Sequence, residues 1–241
     1  MSAPRTAAPL APVAVVTGGS AGLGLELVRA LVTEGWTVVT DGRRRDRLDE
    51  LVAALDGPGR VIAVVGDVTV AEHRRSLVAT ATAAGPVRLV VNNASTLGAS
   101  PQPALTDLDP AVFESVLRTN VVAPVALVAE LAPHLGPGAT VVDLSSDAAV
   151  EAYEGWGAYG ASKAALDHAG RILGAERPGW RVLSIDPGDM RTEMHQDAFP
   201  GEDISDRPSP SASIPGLLAL IHGDQPSGRY EARTEVPSPA P

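Results

Sequence analysis

Short runs of apolar, often β-branched residues alternate along this chain with longer segments in which apolar residues recur at helical spacing. Because the short runs are apolar on both faces, they read as strands of a parallel sheet covered by helices on both sides. The pattern therefore predicts an α/β fold: a Rossmann-type doubly wound parallel sheet in a single domain. The predicted strands are 13–17, 37–40, 61–65, 87–91, 140–144 and, as the last one, 180–185. The predicted helices are 23–34, 46–55, 71–84, 109–119 continuing to 134, and 158–176.

The pattern also sets the expected domain limits. No internal repeat or linker interrupts it before residue 188. We expect residues 1–12 to be a disordered lead-in, 13–232 to form the domain, and the proline-rich residues 233–241 to be a flexible tail. Within the domain, the acidic and proline-broken segment 189–215 is the predicted substrate loop region.

Charge and composition argue against several functions. The net charge is −10 and the sequence pI is about 4.9, whereas nucleic-acid binding needs a basic face. The chain has no cysteine, so it offers no disulfide or thiolate metal site and would tolerate a reducing cytoplasm. Its N-terminal segment has no apolar stretch long enough to span a bilayer. We expect a cytoplasmic protein without a metal ion and with neither nucleic acid nor membrane as partner.

The first loop, TGGSAGLG at 17–24, lies between a predicted strand and a predicted helix. Gly18, Gly22 and Gly24 can supply unusual dihedral angles, close approach to a pyrophosphate and tight helix packing, and the helix N-terminus favours negative charge. The chain has 24 glycines, so an ordinary turn is the alternative. The strand before and the helix after favour dinucleotide binding.

The end of the second strand bears on which dinucleotide would bind. Asp41 could bond the ribose hydroxyls of NAD, but Gly42, Arg43 and Arg44 follow, and paired guanidinium groups suit a 2′-phosphate. The alternative is a solvated arginine cluster that opens a helix, where positive charge opposes the macrodipole. The pattern favours NADP(H) over NAD(H).

A stretch reading YGASK ends at Lys163, the only lysine among nineteen basic side chains. Tyr159 lies four residues earlier and so shares a helix face with it. An isolated phenol has a pKa of about 10, and a nearby cation favours the phenolate. A compact ammonium can lie beside a phenol and also bond a sugar diol, which a guanidinium does less well. The hypothesis is that Lys163 binds the cofactor ribose and lowers the pKa of Tyr159.

Other polar residues follow predicted strands or interrupt helices. Asp67 could accept from an adenine amino group or cap a helix, and Asn92 and Asn93 are ordinary turn residues. Ser146 follows a strand thirteen residues before the tyrosine, a weak signal alone. Asn120 interrupts a helical pattern, where we expect a kink or a polar contact.

Taken in order, these motifs resemble the short-chain dehydrogenase/reductase family, in its single-domain, NADP-preferring branch. The resemblance covers about residues 13–192 and implies a ketoreductase-type oxidoreductase that transfers a hydride between NADP(H) and a ketone or secondary alcohol. It makes Tyr159 the general acid/base and Lys163 the ribose ligand that lowers its pKa. Ser146 would orient the substrate oxygen, and Asn120 would anchor a water molecule. The motifs are TGGSAGLG, Gly66-Asp67-Val68, NNAS, Asn120, Ser146, YGASK and Asp186-Pro187-Gly188.

The resemblance also implies binding residues. Arg43 matches the basic position of NADP-preferring members, Asp67 the adenine contact and Thr192 the carboxamide contact. The residues expected to bind the cofactor are Gly18, Ser20, Gly22, Leu23, Gly24, Arg43, Arg44, Asp67, Val68, Asn92, Ala94, Tyr159, Lys163, Pro187, Gly188 and Thr192. The expected substrate pocket comprises Ser95, which stands where the family usually has glycine, together with Tyr153, Trp156 and Met190.

Assembly and two rival functions complete the expectations. Helices 109–134 and 158–176 could form a four-helix dimer interface, while the glycine-rich finish of the family is reduced to SGRYEARTEV. We expect a homodimer and leave a tetramer open, with a small carbonyl compound or alcohol as substrate. The rivals are a non-catalytic dinucleotide-binding sensor or scaffold, and a lyase or isomerase on the same scaffold.

Overall fold

A computed structural model of the chain describes residues 11–232. Most of the predicted lead-in and all of the predicted tail therefore lie outside the described residues. The seven strands are β1 (Val13–Val16), β2 (Thr37–Gly42), β3 (Arg60–Val65), β4 (Val87–Asn92), β5 (Thr140–Leu144), β6 (Arg181–Asp186) and β7 (Gly228–Glu231). The α-helices are α1 (Gly22–Thr33), α2 (Arg45–Ala54), α3 (Ala71–Ala84), α4 (Pro110–Leu117), α5 (Ala123–Leu131), α6 (Gly157–Glu176), α7 (Glu193–Ala198) and α8 (Ile214–His222).

The strands form one parallel sheet in the order β3-β2-β1-β4-β5-β6-β7. Consecutive strands run outward from β1 in one direction and from β4 in the other. The order therefore reverses between β1 and β4, which is where doubly wound sheets open a ligand crevice beyond the carboxyl ends of the strands. The predicted Rossmann-type fold is confirmed.

Apolar layers cover both faces of the sheet. On one face, Leu27 and Leu31 of α1 and Leu217 of α8 pack on the sheet. On the other, Leu77 of α3 and Leu127 of α5 do the same. All five of these leucines are fully buried. The layers fix the strand ends rigidly, and the loops at those ends form the site described below.

The last strand was not predicted. β7 pairs with β6 in parallel, with Leu183 opposite Gly228, so the expectation that 180–185 is the final strand was wrong. Its four residues, GRYE, include a glycine and two charged residues, and they lack the apolar run that identifies a buried strand. Main-chain pairing at the sheet edge makes this segment a strand.

The predicted long helix 109–134 is divided by a π-helical turn at Arg118–Val122 and ends in a 3₁₀ turn, Ala132–His134. In the described part of the chain, the run Pro110–His134 is long and apolar enough to cross a membrane by length and composition alone. Within it, Leu127 and Leu131 are completely buried against the sheet. Val122 and Val125 of the same run are exposed, so one face of it packs on the sheet and the other does not.

Candidate active site

A cleft of about 940 Å³ opens along the carboxyl edge of the sheet. Its lining joins loops that are far apart in the sequence. The glycine turn and the loop after β2 form one end, and the loops after β5 and β6 form the other. Most of the predicted site residues share this lining. Those outside it are Gly24, Asn92, Asn120 and Tyr153.

The glycine turn between β1 and α1 has the geometry of an anion cradle. Gly18 and Gly22 have φ angles of 68° and 55°, in the left-handed region that favours glycine. A Cβ on Gly24 would lie 2.4 Å from Asn93 Nδ2, so that glycine allows the turn to pack against the loop after β4. The N-terminus of α1 has no side-chain cap and no acidic residue in its first turn. Its free N–H groups and helix dipole are therefore available to a phosphate.

The side chain of Asp41 stabilises this turn by accepting a hydrogen bond from its backbone. Its side chain is buried, and its carboxylate accepts hydrogen bonds from the Gly18 backbone N at 2.7 Å and from His73 Nε2 at 2.9 Å. Both carboxylate oxygens are therefore engaged within the protein. This agrees with the preference given above to the arginines over Asp41 as cofactor ligands. The contact to His73, 32 residues away in the sequence, has no local sequence signal.

Three arginines line the cleft beyond the turn. Within residues 11–232, Arg43 is exposed and makes neither a hydrogen bond nor an ion pair. Arg44 pairs with Asp46 at 3.0 Å, and both are solvent-exposed. Arg47, which was not predicted, reaches across to Glu193 of α7 with a hydrogen bond of 2.9 Å. Among these three, Arg43 is thus the guanidinium that is free to meet an anionic ligand.

Asp67, at the turn after β3, lies close to Arg43. Burial alone would raise the pKa of Asp67, but hydrogen bonds from the Thr69 backbone N and hydroxyl, with the nearby guanidinium, lower it overall. The carboxylate stabilises its own turn and does not cap α3, whose N-cap is Val70. Asp67 and Val68 both line the cleft.

The NNAS segment after β4 divides between the cleft and the protein interior. Ala94 lines the cleft, and its backbone N donates to Thr17 Oγ1 at 3.1 Å. Asn92 does not line it: this residue is buried and donates from Nδ2 to Asp143 Oδ1 at 2.7 Å. Asn92 therefore supports the sheet beneath the cleft. Its side chain is not exposed to the cleft, where the predicted cofactor contact would be made.

Tyr159, Lys163 and Ser146 meet at the opposite end of the cleft from Arg43. Lys163 Nζ lies 5.4 Å from the centroid of the Tyr159 ring and donates to the Leu144 carbonyl oxygen at 2.7 Å. Ser146 Oγ donates to Asp147 Oδ1 at 2.9 Å. The hydroxyls of Ser146 and Ser95 are close enough to favour the phenolate of Tyr159.

Burial has the largest effect on the pKa of Tyr159. It raises the pKa of Tyr159 well above the ordinary value; the Ser146 and Ser95 hydroxyls oppose this rise, and the negative charges of Asp186 and Asp147 add to it. The expectation that Lys163 lowers this pKa is corrected. The ammonium is directed at the Leu144 carbonyl, and desolvation outweighs the remaining charges. At neutral pH the phenol is protonated.

Two buried carboxylates, those of Asp143 and Asp167, act on the charge of Lys163. Burial lowers its pKa to about 8, against the opposing effect of Asp143 and Asp167. Burial also raises the pKa of Asp143 to about 6, despite its hydrogen bond from Asn92. Neither acid was among the predicted site residues, because a single acidic residue in a strand or helix carries no signal of its partner.

Asn120 joins the two halves of this end of the site. Its side chain is buried in the π-helical turn, accepts from Thr96 N and donates to Thr96 O and Ser162 Oγ, each at 2.9 Å. Ser162 in turn donates to the Tyr159 carbonyl oxygen at 2.6 Å. The expectation was a kink or a polar contact; the polar contact is confirmed, and the helix changes to a π-helical turn at this residue. The amide nitrogen makes two hydrogen bonds and the amide oxygen accepts one, all within the protein, and the anchoring of a water molecule stays a prediction.

Three of the four expected substrate residues line the cleft, and one does not. Ser95, Trp156 and Met190 line the cleft, and the Trp156 ring meets that of Tyr159 edge-on at 5.7 Å. The Ser95 hydroxyl is buried without a hydrogen-bond partner among the described residues. Tyr153 is exposed outside the lining, and its hydroxyl donates to Asp147 Oδ2 at 3.0 Å. Its ring also meets that of Trp156 edge-on, with the ring centroids 6.5 Å apart.

Residues 12–203 match the family described as short chain dehydrogenase. The chain belongs to this family. Tropinone reductase-like 3 of Erythroxylum coca is 33% identical over 196 residues, which cover 80% of this chain and 75% of the relative. A short chain dehydrogenase from Pseudomonas syringae superposes with a TM-score of 0.85 at 29% identity, covering 94% of this chain and 98% of the other. One from Shigella flexneri 2a, complexed with NADP, gives 0.83 at 28% identity and covers 93% and 98%.

As a short-chain dehydrogenase, the protein is an oxidoreductase of a family that uses a nicotinamide dinucleotide on small molecules. The residues present fit that cofactor. Gly22 faces Thr192 across the cleft, where a Cβ on the glycine would lie 3.5 Å from Thr192 Cγ2. The uncapped helix N-terminus and the unpaired Arg43 supply donors for two separate phosphates.

Proposed function

We propose that this short-chain dehydrogenase transfers a hydride between NADP(H) and a ketone or secondary alcohol, with Tyr159 as the general acid/base. The observation that carries the proposal is the meeting of Tyr159, Lys163 and Ser146 at one end of a single cleft whose other end holds Arg43. The Shigella flexneri relative complexed with NADP and the name of the Erythroxylum coca reductase support the cofactor and the reaction class.

The cleft residues divide the cofactor between them. The N–H groups at the start of α1 would hold the pyrophosphate, and Arg43, with Arg44, the 2′-phosphate. Lys163 would hold the ribose next to the nicotinamide, with Thr192 at the carboxamide. Asp67 and Val68 would contact the adenine. When bound, the nicotinamide supplies the hydride for reduction or accepts it in oxidation.

The protein moves the proton. Because burial keeps the Tyr159 phenol protonated at neutral pH, that group can donate a proton to a carbonyl oxygen as the oxygen gains charge. Ser146 Oγ would donate to the same oxygen and orient it. Lys163, whose pKa is about 8, remains largely cationic at neutral pH. Oxidation of an alcohol is the reverse of these steps.

The test compares turnover and binding in matched tyrosine variants. Wild-type protein should oxidise NADPH with at least one member of a broad panel of ketones and aldehydes. Tyr159→Phe should lower turnover by about 10²- to 10⁴-fold, the usual contribution of a positioned acid, while NADPH binding by calorimetry stays within a few-fold. Tyr230→Phe is the control, since that hydroxyl donates to the Pro226 carbonyl outside the cleft.

Two outcomes would refute the proposal. Retained turnover in Tyr159→Phe would remove the acid/base role. Tight NADPH binding with no turnover of any carbonyl or alcohol would favour the sensor or scaffold, a reading motivated by Ser95 in the usual glycine position.

A further inference from the structure

Arg229, on the unpredicted strand β7, contacts three segments of the active site at once. Its Nη2 donates to the Ser146 carbonyl oxygen at 3.0 Å and to Asp186 Oδ2 at 3.1 Å. Its Nε donates to Asp167 Oδ2 at 3.2 Å. The side chain is 24% exposed, so the guanidinium lies largely within the protein, behind the cleft.

Each of these partners belongs to a segment that carries a residue of the proposed chemistry. Ser146 is itself one of them. Asp186 ends β6 and accepts from the Gly188 backbone N at 2.9 Å, which fixes the turn at the nicotinamide end. Asp167 lies on α6 and also accepts from Ser145 Oγ at 2.8 Å. One side chain thus connects the serine loop, the Asp186–Gly188 turn and the helix that carries the tyrosine.

The two carboxylates that Arg229 contacts are buried, and its guanidinium forms an ion pair with each of them. Tyr159, Lys163 and Asp167 follow one another at intervals of four residues, so they lie along one face of α6. Asp167 and Asp186 are both buried carboxylates, and a buried charge without a partner is costly. Across residues 11–232, Arg229 is the cationic side chain within ion-pair distance of either carboxylate.

We propose that Arg229 is a positioning residue for the reaction, which holds the Ser146 loop, the Asp186–Gly188 turn and α6 in the relative arrangement that proton and hydride transfer require. The inference rests on the proposed function. The planar guanidinium suits the task because its donors point in several fixed directions, whereas an ammonium concentrates its donors at one atom. The remaining charged neighbour is Glu231 on β7, at 4.0 Å.

The experiment compares Arg229→Met with Arg181→Met. Arg181 is a partly buried arginine on β6 that donates to the Ile221 and Gly223 carbonyl oxygens and lies outside the cleft lining. We expect Arg229→Met to lower kcat by about 10- to 100-fold, the effect of a small misplacement of reacting groups, while the Kd for NADPH changes less than about threefold. Arg181→Met should leave kcat unchanged.

The pH profile separates positioning from simple structural support. Burial raises the pKa of Asp186 and the negative charge of Asp147 adds to the rise, whereas the Gly188 backbone N–H and Arg229 oppose it. Without the guanidinium this pKa rises further, so the pH profile of kcat should change in Arg229→Met and not in Arg181→Met. Arg229→Lys should recover part of kcat. Asp167→Asn, which preserves shape and removes charge, should also lower kcat and serves as the test if Arg229→Met does not fold.

The comparison requires that the wild-type protein is active. The inference is overturned if Arg229→Met, or Asp167→Asn in its place, has a kcat within about twofold of the wild-type value and the same pH profile. It is also overturned if the loss of kcat equals the loss of folded protein measured by thermal unfolding. A wild-type protein that turns over no carbonyl or alcohol would instead refute the proposed function, and the positioning role with it.

Discussion

Removing the Arg43 guanidinium should reduce the preference for NADPH over NADH. The side chain lines the cleft, is exposed and makes no ion pair or hydrogen bond within the described residues, so its truncation leaves no buried partner unsatisfied. A hydrogen bond to a charged group contributes about 1.5 to 3 kcal/mol. Because Arg43 is exposed, the lower value applies, and it corresponds to about tenfold in Kd.

Calorimetric titrations of wild-type protein, Arg43→Ala and Arg45→Ala with NADPH and with NADH measure this directly. Arg45 is the matched control, since it belongs to the same arginine run and is exposed but does not line the cleft. We expect Arg43→Ala to weaken NADPH binding about tenfold and to leave NADH binding within about twofold. Equal weakening of both cofactors, or an effect of Arg45→Ala as large as that of Arg43→Ala, would refute the assignment of the 2′-phosphate site.

Two further predictions concern the glycine turn and the buried acid. Gly24→Ala should abolish NADPH binding measured by calorimetry, because the added Cβ would lie 2.5 Å from the Gly18 carbonyl oxygen. Gly179→Ala is the control and should bind NADPH normally, because no atom lies within 4 Å of its added Cβ. Normal binding by both variants would contradict the packing argument. The folded-state pKa of Asp143 is about 6, against an ordinary 3.8, so the folded protein binds more protons and its stability falls as pH rises from about 4 to 6. The loss in the free energy of unfolding is on the order of 3 kcal/mol, and Asp143→Asn should remove it when urea unfolding is measured across this pH range. The same dependence of the unfolding free energy on pH in both proteins would contradict the prediction.

Local patterns predicted the sheet and the first half of the site. Each of β1 to β6 is a run of residues whose apolar character is visible in the sequence, and the bounds of α3 and β5 were predicted without error. The glycine turn was predictable for the same reason, since its dihedral angles depend on residues that are adjacent in the chain. Family resemblance then assigned roles to Tyr159, Lys163 and Ser146.

Contacts between distant segments were not predictable. Asp41 could be read as a ribose ligand, and only its contacts with Gly18 and His73 show that it supports the turn. The four residues of β7 become a strand because β6 offers them an edge, and Arg229 has a role only in that position. The direction of the Tyr159 pKa depends on burial, which spacing along a helix does not reveal.

We propose that this protein transfers a hydride from NADPH to a carbonyl carbon. The most direct test is to incubate it with a ketone from the panel and NADPH carrying deuterium at either position of nicotinamide C4, and to analyse the alcohol by mass spectrometry. We expect deuterium on the carbinol carbon from one of the two labelled cofactors, and none when Tyr159→Phe replaces the wild-type protein. Product without deuterium from either cofactor, or formed without NADPH oxidation, would contradict it and favour a lyase or isomerase.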